Sequence, residues 1–220
     1  MYSSSHLRNR LRFYFITDAQ APDLSPVRQV EIAIKAGATT IQYRNKSFFL
    51  KDFDEAAAIR NLCKTHQVLF IINDDILLAK GLGADGVHLG QEDAELKLAR
   101  QILGPDAIVG ASVSTIEELL QTDLSACDYI GVGPVFPTGT KTDAKAAIGL
   151  AGLKKIIDQS PVPVVAIGGI DAVNSPDCFS QGAAGVSMIS AITRADDPGQ
   201  RAAEIAKVCG CLPRALVSSW

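Results

Sequence analysis

Histidine is scarce in this chain. Three residues in 220, His6, His66 and His88, are too dispersed to make a zinc set with the cysteines. Cysteine is little more common. Cys63, Cys127, Cys178, Cys209 and Cys211 are odd in number and scattered, apart from one CxC pair. That argues against a disulfide framework and fits a reducing compartment, the cytoplasm. Basic charge is not in excess: 21 Lys and Arg against 24 Asp and Glu leave a net charge of −3. Nucleic acid is therefore not expected as a partner, and an anionic ligand has to be met by local positive charge. No apolar run has the length of a membrane span, and none of signal-peptide length precedes "FYFIT". Neither a membrane partner nor a secretory leader is expected. Linkers and low-complexity segments are also missing.

What is present is an alternation. Short apolar, β-branched runs take turns with amphipathic stretches of helical period. The runs fall at 13–17, 39–44, 69–74, 86–90, 108–113, 129–135, 162–169 and 185–190. Ser25–Pro26 opens the first amphipathic stretch as an N-cap followed by proline, and Gly37 closes it. Eight strand–helix units in one domain of this length predict an α/β fold, the (β/α)8 TIM barrel. A doubly wound open sheet is the alternative, but no glycine-rich turn follows "FYFIT". The domain covers 1–220, its core about 13–208, with the first ten residues and the closing "CLPRALVSSW" as peripheral segments.

A TIM barrel carries its active site at the C-terminal ends of the strands. The second run ends in "QYRNK", where Gln42, Arg44 and Lys46 alternate onto one side. Arginine and lysine two apart suit a pyrophosphate. The third ends in Asn73, Asp74 and Asp75, the last a helix cap. The fourth ends in "GVHLGQED", which brings Asp93. Acids from neighbouring strands beside basic residues suggest a Mg²⁺ site that bridges protein to phosphate oxygens. His88 lies within its strand and reads as a packed barrel residue.

The fifth run ends with Ser112 and Ser114. The sixth runs into "FPTGTK", whose Thr138, Gly139, Thr140 and Lys141 look suited to an oxyanion. Gly168–Gly169 end the seventh, and Ile189–Ser190 lead from the eighth into a short extra helix. Loops after the last two strands are recurrent phosphate sites in this fold. The rim thus holds two anion devices. One is Arg44, Lys46, Lys141 and a metal on Asp74 and Asp93. The other is the 138–140 loop with Gly169, Ile189 and Ser190. Two phosphorylated small molecules are the expected partners.

The motifs "QYRNK", "IINDD", "ADGVHLGQED", "GPVFPTGTK", "AIGGI" and "GVSMISAI", in this order, resemble the thiamine-phosphate synthase family from about residue 13 to 208. The resemblance implies a magnesium-dependent transferase. It would join 4-amino-2-methyl-5-hydroxymethylpyrimidine diphosphate to a thiazole phosphate, releasing pyrophosphate. It implies that Gln42, Tyr43, Arg44, Asn45, Lys46, Asn73, Ser112 and Lys141 lie along the pyrimidine diphosphate. Asp74 and Asp93 would hold one Mg²⁺. Thr138, Gly139, Thr140, Gly169, Ile189 and Ser190 would receive the thiazole phosphate. Arg44, Lys46, Lys141 and Ser112 would carry the catalysis, and self-association is implied too.

The chain departs from the family pattern at Ser114, where a histidine is frequent, and at Asn45 and Gly139, where glutamate is frequent. Two alternatives stay open. A related thiazole tautomerase would need neither metal pair nor diphosphate grip. A non-catalytic barrel would bind a phosphorylated ligand without turnover.

Overall fold

The computed structural model describes residues 4–139 and 146–216. Eight parallel strands close a barrel in sequence order: β1 Phe13–Ile16, β2 Thr40–Tyr43, β3 Leu69–Asn73, β4 Gly86–Leu89, β5 Ile108–Val113, β6 Tyr129–Val132, β7 Val164–Ile167 and β8 Gly185–Met188. The helices joining them are α2 Pro26–Ala36, α3 Phe53–Thr65, α4 Ile76–Leu82, α5 Leu96–Leu103, α6 Ile116–Gln121, α7 Gly149–Gln159 and α8 Ser175–Ser180. Before β1 stands α1 Ser4–Arg10, and after β8 come the short α9 Ser190–Thr193 and α10 Pro198–Val208. The predicted TIM barrel is what the chain forms, each strand ending one to three residues before or level with its expected limit.

The helix starts obey local chemistry. Ser25, Asp75, Thr115 and Asp197 each accept a backbone N–H from the first turn of the helix they cap. Strand alternation then sorts the side chains into two layers. Outward residues such as Phe15, Ile41, Phe70 and Val87 pack against the helices. Inward residues such as Tyr14, Ile71, Tyr129 and Val165 fill the barrel.

The described part of the first ten residues, 4–10, is not peripheral. Leu7 of α1 and Leu11 join the inner cluster, buried to 5% and 0% exposure. Arg8 and Arg10 tie this segment to the carbonyls of Gly182 and Gln67 at 3.4 and 2.7 Å. Because α1 leads into the starts of the strands, it closes the barrel floor. The apolar signal was there, two leucines four apart, but too short to stand out. Near the other end, Arg214 bonds the carbonyls of Lys35 and Ala38, so this stretch is also laid against the barrel wall.

Candidate active site

A cleft of about 1040 Å³ opens at the C-terminal ends of the strands. Its residues arrive by simple alternation. Gln42, Arg44 and Lys46 all line it, as their spacing predicts. Tyr43 and Asn45, between them, do not. Tyr43 turns outward, donates its hydroxyl to Glu55 at 3.1 Å and meets Phe48 edge-on. Asn45 folds onto its own loop, where its Oδ1 accepts from the Ser47 N–H at 2.9 Å. The structure places neither of these side chains in the cleft. Thr17 anchors the β2 end, accepting the Arg44 N–H at 2.9 Å.

The "NDD" sequence divides its labour. The Asp75 carboxylate caps α4, accepting from Leu78 N–H at 2.8 Å. Asp74 adopts a left-handed backbone, φ 65°, an unusual conformation for a non-glycine residue. Its N–H still bonds the His88 carbonyl at 2.8 Å, so the turn is held to β4. Asp93 comes from the turn after β4, with its Oδ2 accepting from Gly90 N–H at 2.6 Å.

The two carboxyl groups meet within hydrogen-bonding reach. Burial and the neighbouring Asp74 push Asp93 above the usual aspartate value. For Asp74, burial acts upward, but the hydrogen bond to Asp93 and the Lys46 ammonium outweigh it, and its pKa is lowered. The Lys46 ammonium lies 2.5 Å from Asp74 Oδ2. One shared proton or one cation relieves such a pair. The oxygen-only donor set fits Mg²⁺, which takes one or two carboxylates and completes its shell with water and phosphate oxygens. No cluster of three or more acidic, histidine or cysteine residues that could hold a metal occurs among the described residues, so the remaining ligands would have to come from elsewhere.

Across the cleft stand Thr138, Gly139, Gly168, Gly169, Ile189 and Ser190. Gly168 and Gly169 have φ of 94° and 64°. A Cβ on Gly169 would come within 2.6 Å of the Pro137 carbonyl oxygen, so only glycine lets the two loops meet this closely. Beyond the end of β6, Val135 and Phe136 still donate to the carbonyls of Ile167 and Gly168 at 2.9 and 3.0 Å. The 136–139 stretch therefore starts from sheet-like pairing. Thr140 and Lys141 lie outside the described residues.

Four features escaped the sequence reading. Arg194 and Arg201 also line the cleft. Asp18, at the end of β1, is clasped by Gln29 through its N–H and carbonyl and lies 3.4 Å from Arg194. The third is the set Tyr14, His88 and Tyr129, which with Gln42 and Ser112 forms one chain of hydrogen bonds inside the barrel. Gln42 Nε2 donates to the Tyr14 hydroxyl at 2.8 Å, and the Tyr14 and Tyr129 hydroxyls are 2.8 Å apart. The Tyr129 hydroxyl is 3.0 Å from His88 Nδ1, and His88 Nε2 is 2.9 Å from Ser112 Oγ. His88 thus serves this network as well as packing. The fourth is Gly110, whose missing side chain leaves room for the Tyr129 ring: a Cβ there would lie 2.3 Å from it. The available signal was polar or aromatic residues at inward positions of apolar strands.

Comparison with known proteins points one way. The family model for thiamine monophosphate synthase matches residues 13–192. A thiamine-phosphate synthase of Clostridium novyi is 42% identical over 188 residues, covering 84% of this chain and 92% of the relative. One from Pyrococcus furiosus is 40% identical over 205 residues, with 92% and 97% covered. A solved structure of thiamine phosphate pyrophosphorylase from Pyrococcus furiosus superposes with a TM-score of 0.84 at 38% identity, covering 93% of this chain and 98% of that one. By these matches and by its closed eight-stranded barrel, the chain belongs to the thiamine monophosphate synthase family of transferases.

Proposed function

We propose that the enzyme joins 4-amino-2-methyl-5-hydroxymethylpyrimidine diphosphate to 4-methyl-5-(2-hydroxyethyl)thiazole phosphate, or its carboxylated form, in a Mg²⁺-dependent reaction in the cytoplasm. The products are thiamine phosphate and pyrophosphate, with CO2 released as well when the carboxylated form is the substrate. One observation carries this reading: a single cleft is lined at two separate places by residues suited to anions. Arg44, Lys46 and the Asp74–Asp93 pair stand at the β2–β4 ends, and Thr138, Gly139, Gly169, Ile189 and Ser190 at the β6–β8 ends.

The diphosphate leaves from a carbon attached to an electron-rich aminopyrimidine. The ring delocalises the cation left behind, so the path is dissociative. The unfavourable term is negative charge growing on the leaving group. Arg44 and Lys46 stabilise it where it develops, together with Lys141, which family resemblance assigns to the same end. Asp74 and Asp93 would hold the Mg²⁺, which would supply further neutralisation of the diphosphate oxygens. Gln42 and Asn73 orient the pyrimidine. Thr138, Gly139, Thr140, Gly169, Ile189 and Ser190 fix the thiazole by its phosphate, so that its nitrogen faces the methylene carbon. Fixing it in advance removes much of the entropic cost of the encounter. The C–O bond to the diphosphate breaks, and the thiazole nitrogen donates its lone pair to form the new C–N bond. With the uncarboxylated thiazole no proton has to move, and no general base is required.

Pyrophosphate release tests the reading directly. The purified protein should release it only with both substrates and Mg²⁺ present, and Asp93→Ala should abolish release. No release under these conditions would leave the tautomerase or the phosphate-binding barrel as the explanation.

A further inference from the structure

An asparagine directly before a helix ordinarily turns its side chain onto the N–H groups of the first turn. Asn174 stands directly before α8, and its side chain makes no such bond. It reaches back along the chain instead. Its Oδ1 accepts from the Asp171 N–H at 2.9 Å, and its Nδ2 donates to the Gly169 carbonyl at 2.8 Å. A backbone N–H only donates and a carbonyl only accepts, so a single orientation of the amide satisfies both. Asp171 completes the latch, its Oδ1 accepting from the Val173 and Asn174 N–H groups at 2.8 and 3.1 Å.

The latch decides where a peptide plane faces. In a trans peptide the C=O and the following N–H point opposite ways. Asn174 holds the Gly169 carbonyl, so the Ile170 N–H points away from Asn174. The preceding plane is fixed in the same manner, because the Gly168 carbonyl accepts from the Phe136 N–H at 3.0 Å. Phe136 follows β6, and β7 lies between β6 and β8. The Gly169 N–H therefore points toward the β8 side, where Ile189 and Ser190 stand. Gly168, Gly169 and Ile170 line the cleft, whereas Phe136 and Asn174 do not. Two consecutive carbonyls are thus tied down by groups outside the cleft lining, and the N–H groups of the same planes face the other way. Consecutive N–H groups on one side of a turn make a concavity for an anion.

We propose that Asn174 is a positioning residue that aims the Gly169 and Ile170 N–H groups at the phosphate of the thiazole substrate. The orientation of the amide follows from its partners alone, whereas the identity of the anion rests on the function proposed above. Glycine explains why a latch is needed. With φ of 64°, Gly169 occupies backbone space that no side chain polices, and its plane with Ile170 is free to turn over. A turned plane would present a carbonyl to the phosphate in place of a donor. The Asn174 amide holds the donor outward before the substrate arrives.

Two measurements test this. The first is an amide ¹H–¹⁵N titration of the unaltered protein with inorganic phosphate. The Gly169 and Ile170 proton signals should move downfield, and signals that stay in place overturn the proposal. The second is steady-state pyrophosphate release by Asn174→Leu, a neutral side chain of similar size. Its KM for the thiazole phosphate should rise about 10-fold, with kcat and the KM for the pyrimidine diphosphate within about 2-fold of the unaltered protein. The phosphate-induced shifts at Gly169 and Ile170 should be lost in the same variant. An unchanged KM, or an equal rise for both substrates, would mean that Asn174 serves only the fold around α8, which overturns the positioning role. Asn174→Ala takes its place if the leucine prevents folding. Failure of the unaltered protein to release pyrophosphate would instead sink the function and the thiazole partner, with the phosphate titrations of both proteins still deciding the aim of the two N–H groups.

Discussion

Asp93 is where single-residue physics is clearest. Burial and the Asp74 carboxylate raise its pKa above the ordinary 3.8, so its ionised form is disfavoured in the folded protein. The sign follows. Below pH 3.8 the group is protonated whether folded or unfolded, and folding gains and loses nothing from it. As pH rises through the raised folded value, ionised Asp93 becomes a cost to stability. Asp93→Asn removes that cost and keeps an oxygen to accept from Gly90 N–H. Its melting temperature should rise slightly at neutral pH, on the order of 1–2 °C, with the gain vanishing in acid. Activity should fall on the order of 100-fold or more, because one partner of the growing charge is gone. Calorimetry at two pH values beside an activity assay checks both halves. A melting temperature lowered at neutral pH would mean that the acid pair stabilises the fold. Gly169 offers the complementary test. Ala at that position would bring a Cβ to 2.6 Å from the Pro137 carbonyl at a φ of 64°. Displacing the loop should raise the KM for the thiazole phosphate about 10-fold or more and leave that for the pyrimidine diphosphate unchanged. Steady-state kinetics with each substrate varied in turn would reveal any equal effect on both, which would count against two separate ends.

Among the elements, the sequence is most informative where alternation is strict and least where an element is short. The eight strands were legible because each is an apolar run between turn residues. From them followed the rim positions of Arg44, Lys46, Asp74 and Asp93, since the fold dictates which strand end faces the ligand. The Tyr14–Tyr129–His88 chain was not legible. It joins β1, β6 and β4, residues 41 and 115 apart in sequence, and only the closed barrel brings their hydroxyls and ring together. Tyr43 and Asn45 show the same limit in reverse. They sit within the binding motif, yet strand alternation turns their side chains away from it. The helix α1 was missed because its seven residues, about two turns, carry too little periodicity to read. Its packing makes a prediction at this scale. Leu7→Ala should lower stability by about 2–4 kcal/mol through the cavity it opens in the inner cluster, measured by urea unfolding. The KM values should not move, since Leu7 lies at the opposite end of the barrel from the cleft. A change below about 0.5 kcal/mol would mean that α1 is not part of the core.

Taken as one molecule, the chain is acidic, with a net charge of −3, yet it presents four basic side chains to a cleft suited to anions. These cations share the cleft with Asp74, Glu92, Asp93, Glu118 and Asp171, so a bound metal cation would tip the balance toward a diphosphate. Ligand-linked stability should report this. Pyrophosphate with Mg²⁺ at 100 times its Kd should stabilise the fold by about 2.7 kcal/mol, and Mg²⁺ alone by much less. The shift should disappear in Asp93→Asn, and a shift that survives there would place the metal away from the acid pair. Among the described residues no helix is long and apolar enough to cross a membrane.

Among the described residues, Leu7 and Leu11 fill the inner cluster beneath the opening of the cleft. On the function proposed above, both substrates would enter through this mouth and both products would leave through it. Arrival and departure would therefore be successive events, and a product that lingers in the mouth would block the next substrate as effectively as one that occupies its site.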